Sequence, residues 1–343
     1  MGVELKKEPI TAVGKNLAVK RESRGIFDEF AHQSVGRSWV AEHLPQRREM
    51  AELGHLLQRD ETGWLKNLLL GELATEVSEP HYVQAGINAS GKDYNSISFY
   101  TNFWGPQERR HGAALRLALL DSGLMSPDQI HVYLRECEVS DPWTFEKQTG
   151  HAGDDIIYGI AYAVAQEAQT KLTYRETKRI VWSQYGSPVD PQTQRKLYPG
   201  VCGVLEVIAL DEGAHQGFFL NMMRIYLRYW PDRALEALTE VFHGYTMPVV
   251  HIPNAEEFMD AVIKAKLAGP RWVVTEIHNA VAQLLGLERR SAIGRAMRNF
   301  GRLLDGENAV VQLPGKKIDE VPEGCVVYEM HTDGTFVPQP AVS

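Results

Sequence analysis

Long helical segments that are apolar on nearly every face are interrupted at a few positions by glutamate and histidine. Two of them begin near Asp154 and Val201 and contain the words AVAQEAQT and ALDEGAHQGFF. An ionised carboxylate buried among such residues is costly unless a cation compensates it. This requirement restricts the chain to folds in which the acidic side chains meet around positive charge.

The spacing Glu-x-x-His puts a carboxylate and an imidazole on one helix face, within reach of a single metal ion. The pattern occurs five times, but only Glu108/His111 and Glu212/His215 lie in apolar surroundings. Charged pairs on helix faces are usually solvated surface pairs, so the remaining matches predict no site. They are Glu29/His32, Glu52/His55 and Glu240/His243.

The two apolar pairs belong to a duplicated arrangement. Each pair is preceded by a helix in which one glutamate, Glu76 or Glu167, interrupts an apolar face. Four carboxylates and two imidazoles meeting in a helical bundle form the ligand set of a carboxylate-bridged di-iron or di-manganese centre. Zinc takes fewer ligands and calcium avoids imidazole, so the pattern favours a dinuclear iron or manganese site.

Helical periodicity dominates from about residue 25 to 302, which predicts an all-α fold around a four-helix core. We expect a mobile arm over 1–25, one helical domain over 26–302 and a C-terminal tail over 303–343. Within the domain we expect one helix from about 96 to 120 and a loop at 183–200. The β-branched runs and the Asp-Gly step in the tail predict an irregular extension or a β-hairpin.

Composition excludes several classes of protein. A net charge of −8 argues against binding of nucleic acid through bulk charge. Cys137, Cys202 and Cys325 lie far apart and form no CxxC motif, which is typical of a reducing compartment. No apolar run approaches the roughly 20 residues that span a bilayer, and the N-terminus lacks a signal-peptide core. Glycine-rich nucleotide motifs are absent from the sequence. We therefore expect a cytoplasmic protein without membrane insertion.

Several short motifs of the sequence match those of one family and occur in the same order along the chain. They are GELATEVSEPHY, WGPQERRHG, AVAQEAQT, ALDEGAH and, more weakly, TMPVVH, and they span most of residues 60–251. With these words the chain resembles the soluble acyl-ACP desaturases, which include the plant stearoyl-ACP enzymes. The resemblance implies a ferritin-like four-helix bundle core with additional helices, two iron ions as cofactor, and a homodimer.

The resemblance also implies a role for each matched residue. Glu76 and Glu167 would be terminal iron ligands, Glu108 and Glu212 would bridge the irons, and His111 and His215 would each bind one iron. Thr170 matches the family's threonine near the oxygen-binding face.

Three further residues concern the orientation of the histidines. Asp211 matches the aspartate that orients His111, and Trp39 matches, after a one-residue shift, the tryptophan at the far end of that hydrogen-bond chain. The plant family has a second glutamate directly before the bridging one, where this chain has Gln107. By the duplication, Gln107 takes the place of Asp211 in the other half, and its amide oxygen can orient His215 without charge.

The implied activity is an O2-dependent desaturation that introduces a cis double bond into a fatty acyl chain on an acyl carrier protein. The electrons would come from a ferredoxin-like donor. Hydroxylation or acetylenic bond formation on a specialised carrier-bound chain is the alternative, since the same ligands serve these outcomes. A non-catalytic ferritin-like metal-binding protein is the alternative from another class. Chain length and double-bond position are open at this point.

Overall fold

The computed structural model describes residues 12–44, 63–91, 93–139, 155–185, 200–247, 252–267, 269–303, 309–315, 318, 321 and 325–339. In chain order the α-helices are α1 Ala12–Gly36, α2 Trp64–Val77, α3 Glu79–Ser90, α4 Tyr94–Ser98, α5 Gly105–Asp121, α6 Pro127–Val139, α7 Ile156–Tyr185, α8 Gly200–Tyr229, α9 Pro231–Gly244, α10 Ala255–Lys264, α11 Pro270–Trp272, α12 Asn279–Leu284 and α13 Arg290–Leu303. Two π-helices, Phe99–Trp104 and Val273–His278, lead into α5 and α12, and a 3-10 helix, Ala41–His43, follows α1. The strands are β1 Ala309–Gln312, β2 Val326–Met330 and β3 Phe336–Pro338.

Four helices form the core of the fold. Helix α7 packs along α8, α2 packs against α5, and α5 also contacts α8. Helix α1 lies against α8, α9 against α7, and α10 against α2. The predicted helical fold with a four-helix core and additional helices is confirmed.

The core contains two apolar clusters that polar residues separate. The aromatic cluster includes Phe99, Trp104, Phe218, Phe219 and Tyr226. The aliphatic cluster includes Leu65, Leu68, Leu115, Leu205 and Ile208. Along α8, the aliphatic cluster ends at Ala209 and the aromatic cluster begins at Phe218. The polar residues between these two positions are therefore held between two dry layers.

The segment expected as one helix from 96 to 120 is helical throughout, but the π-helix Phe99–Trp104 lies in its middle, between α4 and α5. The Gly105-Pro106 step in the sequence indicates a distortion at this place. Pro106, in the first turn of α5, has no N–H to donate to the preceding turn, which favours a break in the α-helical bonding. A Cβ on Gly105 would lie 2.7 Å from the carbonyl oxygen of Tyr100, so the close approach requires glycine. The distortion fixes how α5 enters the core.

The C-terminal segment forms a three-stranded sheet in the order β1-β2-β3. Strands β2 and β3 make the expected antiparallel hairpin, while β1 pairs in parallel with β2, which the sequence pattern did not indicate. Strand β1 contacts α8, so the tail packs on the bundle. Gly334 has φ +82, and a Cβ there would lie 2.5 Å from the carbonyl oxygen of Ala292 on α13.

The expected segment limits can be placed on this architecture only in part. Helix α1 runs from Ala12 across residue 25, where we expected the arm to end. Helix α7 extends to Tyr185, and the rest of the expected loop, 186–199, lies outside the described residues. Among the described helices, none combines the length and apolarity that crossing a membrane requires.

A close contact between α2 and α10 generates a prediction about stability. A Cβ on Gly71 would lie 2.0 Å from Cδ2 of the buried Phe258 ring. We expect Gly71→Ala to lower the free energy of unfolding by about 1–3 kcal/mol through overpacking, measured by chemical denaturation. The matched control is Gly159→Ala in α7, where a Cβ meets nothing within 4 Å; it should raise stability by about 0.5–1 kcal/mol. An undiminished stability of Gly71→Ala would contradict the contact.

Candidate metal centre

Two groups of buried side chains meet between the aromatic and aliphatic clusters. The first group contains Glu76, Glu108, His111 and Glu212. The second group contains Glu108, Glu167, Glu212 and His215. Within each group the ligand atoms lie within 4.8 Å of one another, and Glu108 and Glu212 belong to both groups. The structure therefore brings all six side chains of the sequence prediction together in the arrangement of two adjoining sites.

Each of the four core helices delivers part of this cluster. Helices α2 and α7 supply one glutamate each, and α5 and α8 supply one glutamate and one histidine three residues later. Both histidines are fully buried, and none of the four carboxylates is more than 6% exposed. Water is thus excluded from the groups that carry the charge.

The ring of His111 is fixed from both sides. Its Nδ1 faces inward, 3.4 Å from carboxylate oxygens of Glu108 and of Glu212. Its Nε2 faces outward, 3.3 Å from Oδ2 of Asp211, and Trp39 donates its indole N–H to the same oxygen at 2.8 Å. The contacts expected for Asp211 and Trp39 are present, and such outer partners set the tautomer of a ligating histidine.

His215 is held in the same way by a neutral partner. Its Nδ1 lies 2.9 Å from Glu108 Oε1 and 3.3 Å from Glu167 Oε2. Its Nε2 lies 2.6 Å from the amide oxygen of Gln107, which can only accept a hydrogen bond. The proton therefore resides on Nε2, and Nδ1 can direct its lone pair at a metal ion between the carboxylates.

The donor set fits a pair of hard divalent cations. His111 Nδ1 is buried and makes no hydrogen bond to any described residue, although it faces three carboxylates. Carboxylate oxygens and imidazole nitrogens in this proportion suit iron or manganese, whereas zinc sites hold fewer ligands. Two shared carboxylates, together with one further glutamate and one histidine on each side, give two positions with the same types of ligand.

The ionisation of the cluster without metal follows from its burial. Burial raises the pKa of Glu76 and of Glu167 well above the ordinary glutamate value. Burial would do the same to Glu108, but the two histidines hold its pKa below that value. Burial would lower the pKa of His111 and of His215, but Glu108 and other carboxylates raise both well above the ordinary value. The carboxyl groups of Glu76 and Glu167 and the two imidazoles thus favour their protonated forms, and a metal ion would have to displace these protons.

The same balance holds for the remaining bridging residue. Burial opposes ionisation of Glu212, but its contacts with Glu167, His111 and His215 hold its pKa below the ordinary value. The two carboxylates shared by both groups are therefore the ionised ones. Their charges are compensated by the two protonated imidazoles in the absence of metal.

Two contacts to the cluster were missed by sequence reasoning. The hydroxyl of Tyr174 donates to Glu76 Oε1, and the indole N–H of Trp104 donates to Glu167 Oε1 at 3.0 Å. Tyr174 follows Glu167 by seven residues, or two helical turns, so it lies on the same face of α7. That spacing was the available signal for Tyr174.

The other Glu-x-x-His pairs were interpreted as surface pairs. Both members of Glu29/His32 and of Glu240/His243 are exposed. Glu29 and His32 lie on α1 rather than near a loop, and His243 lies in the last turn of α9, bonded through Nδ1 to Thr239 O at 2.8 Å. The pair Glu52/His55 lies outside the described residues.

A cavity lies beside the cluster. Thr170 and Glu72 line it, and they lie one helical turn from Glu167 and Glu76 respectively. The hydroxyl of Thr170 donates to the carbonyl oxygen of Gln166 at 3.1 Å. Burial raises the pKa of Glu72 to about 8. A ligand in the cavity would therefore pass close to the ligand helices α2 and α7.

Comparisons with known proteins agree with the geometry. A sequence model described as "Fatty acid desaturase" matches residues 33–269. The protein named as acyl-[acyl-carrier-protein] desaturase DesA1 of Mycobacterium tuberculosis is 21% identical over 61% of this chain and 57% of its own. Stearoyl-[acyl-carrier-protein] 9-desaturase 6, chloroplastic, of Arabidopsis thaliana is 26% identical over 53% of this chain and 44% of its own. This chain thus spans about half the length of these curated relatives.

One solved structure completes the comparison. The structure named as acyl-ACP desaturase DesA2 of Mycobacterium tuberculosis H37Rv has a TM-score of 0.48 and 16% sequence identity, and the match covers 78% of this chain and 93% of that one.

Metal uptake should release protons, because Glu76, Glu167, His111 and His215 all have raised pKa values in the metal-free cluster. We expect anaerobic addition of Fe2+ or Co2+ at pH 7 to release protons, measured with a pH indicator in weak buffer. Affinity should consequently fall as the pH is lowered. Proton-neutral binding would contradict the ionisation described above.

The hydrogen bond from His215 to Gln107 generates a second prediction. Gln107→Leu removes the acceptor that keeps the proton on Nε2, and we expect its affinity for Co2+ to fall about 10–100-fold. Gln107→Glu retains an acceptor and should bind at least as tightly as the unaltered protein. The readout is a Co2+ titration followed by ligand-field absorption. Equal losses in both variants would show that the acceptor is unimportant.

Proposed function

The chain belongs to the fatty acid desaturase family, and from that premise we propose that it introduces a cis double bond into a fatty acyl chain carried on an acyl carrier protein. The observation that supports this most directly is the pair of adjoining carboxylate-histidine groups between two dry layers of the core. The matched relatives carry acyl-ACP desaturase names, which agrees with the proposed substrate class.

Two iron ions are the proposed cofactor. Glu76 and His111 would hold one iron, Glu167 and His215 would hold the other, and Glu108 and Glu212 would bridge them. When bound, this pair supplies the activation of O2 and the oxidising power that removes hydrogen from an unactivated methylene. A ferredoxin-like protein is the proposed source of the two electrons.

The chain's own residues orient the metal ligands and exclude water from them. Asp211 and Gln107 each accept a hydrogen bond from the Nε2–H of a histidine, which leaves the two Nδ1 atoms free to ligate. Tyr174 and Trp104 donate to Glu76 and to Glu167 and so fix the orientation of these carboxylates.

The apolar cavity is the proposed position of the acyl chain. Its walls would hold one pair of methylene groups near the metal pair, because contacts along the bound chain limit its freedom to shift. Thr170 is the proposed polar contact on the oxygen-binding side, where it lines the cavity one turn from Glu167. We further propose a homodimer that acts in the cytoplasm.

Turnover tests the proposal. Iron-loaded protein, incubated with O2, ferredoxin, its reductase and a panel of acyl-ACPs, should yield a product two mass units lighter than its substrate, detected by mass spectrometry. Glu108→Ala and Glu212→Ala should lose iron binding and turnover together, because each removes a carboxylate that both positions share. Glu240→Ala, an exposed glutamate in the same spacing, is the matched control and should retain both.

The outcomes separate the alternatives. A product that gains one oxygen atom would show that the reaction is hydroxylation and not desaturation. A product four mass units lighter than its substrate would indicate an acetylenic bond. Iron binding at two ions per chain without oxidation of any acyl-ACP would identify a ferritin-like metal-binding protein. Less than about one iron per chain after anaerobic loading would contradict the metal centre itself.

A further inference from the structure

The cavity beside the metal cluster has a polar end that the proposed chemistry does not use. It has a volume of about 400 Å³ and lies among α7, α9, α10 and the second π-helix. Most of its wall is apolar, formed by side chains such as Phe258, Met259, Val262, Leu267, Val273 and Val274. At one end His278, His243 and Arg290 line the wall together.

His278 is the unusual residue of this end. It is the last residue of the π-helix Val273–His278 and is only 3% exposed. Its ring stacks on Phe242, with the ring centres 4.5 Å apart and the planes 5° from parallel, and meets Tyr245 edge-on. Neither ring nitrogen has a hydrogen-bond partner among the described residues. Because buried polar groups without partners are costly, this arrangement indicates a partner that the chain does not supply.

The charge state of His278 limits what that partner is. Burial, together with Arg290 and His243, lowers its pKa to about 4. The imidazole is therefore neutral at physiological pH and offers one N–H donor and one nitrogen acceptor. A neutral ring does not select an anion, but it does select a group that accepts or donates a single hydrogen bond.

Two further observations indicate that this group belongs to a ligand with both an apolar and a polar part. Oε1 of Gln169, on the α7 wall of the same cavity, is also buried and has no partner among the described residues. His243 is exposed and Arg290 is partly exposed, so the part of the wall that they form with His278 reaches the protein surface. A pure hydrocarbon would satisfy the apolar wall but leave these nitrogens and this oxygen unpaired.

We propose that His278 hydrogen-bonds a neutral carbonyl or hydroxyl oxygen of an acyl ligand, so that the oxygen-bearing part of the ligand lies at the opening and its hydrocarbon part extends toward Thr170. This assignment rests on the proposed acyl substrate. It makes His278 a residue that sets the depth of the chain, and hence the carbon that comes near the metal cluster. The oxygen belongs either to the thioester and amides of the carrier arm or to a substituent on the chain.

Binding measurements distinguish these sources. The probes are dodecanoyl-pantetheine, its thioether analogue S-dodecyl-pantetheine, and a mid-chain hydroxydodecanoyl-pantetheine, each titrated calorimetrically into the protein. We expect His278→Phe to weaken binding of at least one of these probes about two- to tenfold, the range for one hydrogen bond to a neutral group. A loss that disappears with the thioether assigns the thioester carbonyl, an equal loss with both assigns a pantetheine amide, and a loss only with the hydroxylated chain assigns the substituent.

Stability separates a binding role from a structural one. His278→Phe keeps the aromatic stacking on Phe242 and removes two unpaired nitrogens, so its Tm without ligand should be unchanged or raised. His278→Gln should restore part of the affinity, and His131→Phe, at an exposed position on α6, should leave affinity unchanged. Unaltered affinity of His278→Phe for all three probes, or a lowered Tm with the same loss for every probe and variant, would overturn the proposal. Because binding is read without turnover, a lack of desaturase activity would contradict only the proposed function.

Discussion

Four carboxyl groups buried between two apolar clusters form the constraint on which the rest of this structure depends. Neither cluster can hydrate them, and their mutual repulsion rises steeply as water is excluded. Without metal, the repulsion is relieved by protons on Glu76 and Glu167 and by the two protonated imidazoles. The core thus exchanges one source of positive charge for another, and the helices that bring the ligands together also set the pKa values that metal binding must overcome.

The two halves of the cluster differ outside the ligands. Asp211 carries a charge next to His111; although burial opposes its ionisation, the hydrogen bond with His111 holds its pKa below the ordinary value. Arg110 lies 4.0 Å from this carboxylate and packs over the Trp39 ring. Gln107 positions His215 in the same way, but it carries no charge. An anionic partner makes an imidazole a stronger donor than an amide does, so the two metal positions are electronically unequal although their ligands match.

Sequence reasoning reached the cluster because its signal is local and repeated. A glutamate and a histidine three residues apart in an apolar helix can be recognised from the sequence alone, and a second copy of this pattern excludes most chance matches. Tyr174 and Trp104 lie at helical spacing from ligands, yet which aromatic residues donate to a carboxylate depends on how the helices are rotated in the bundle. The parallel pairing of β1 with β2 was missed for a related reason, since short β-branched runs carry no information about strand direction.

Both described π-helices end beside a polar site, the first at the metal cluster and the second at the cavity. These positions bear on why the α-helical periodicity is interrupted where it is. A π-turn has poorer hydrogen-bond geometry than an α-turn, so it persists only where another interaction compensates for the loss of stability. The first, Phe99–Trp104, ends on the indole that donates to Glu167 and leads directly into the ligands of α5. The second, Val273–His278, ends on the imidazole with unpaired nitrogens at the cavity. An extra residue in a helical turn rotates everything after it by about 100° relative to what came before. The last residue of each described π-helix, Trp104 or His278, is a buried ring that carries a polar nitrogen.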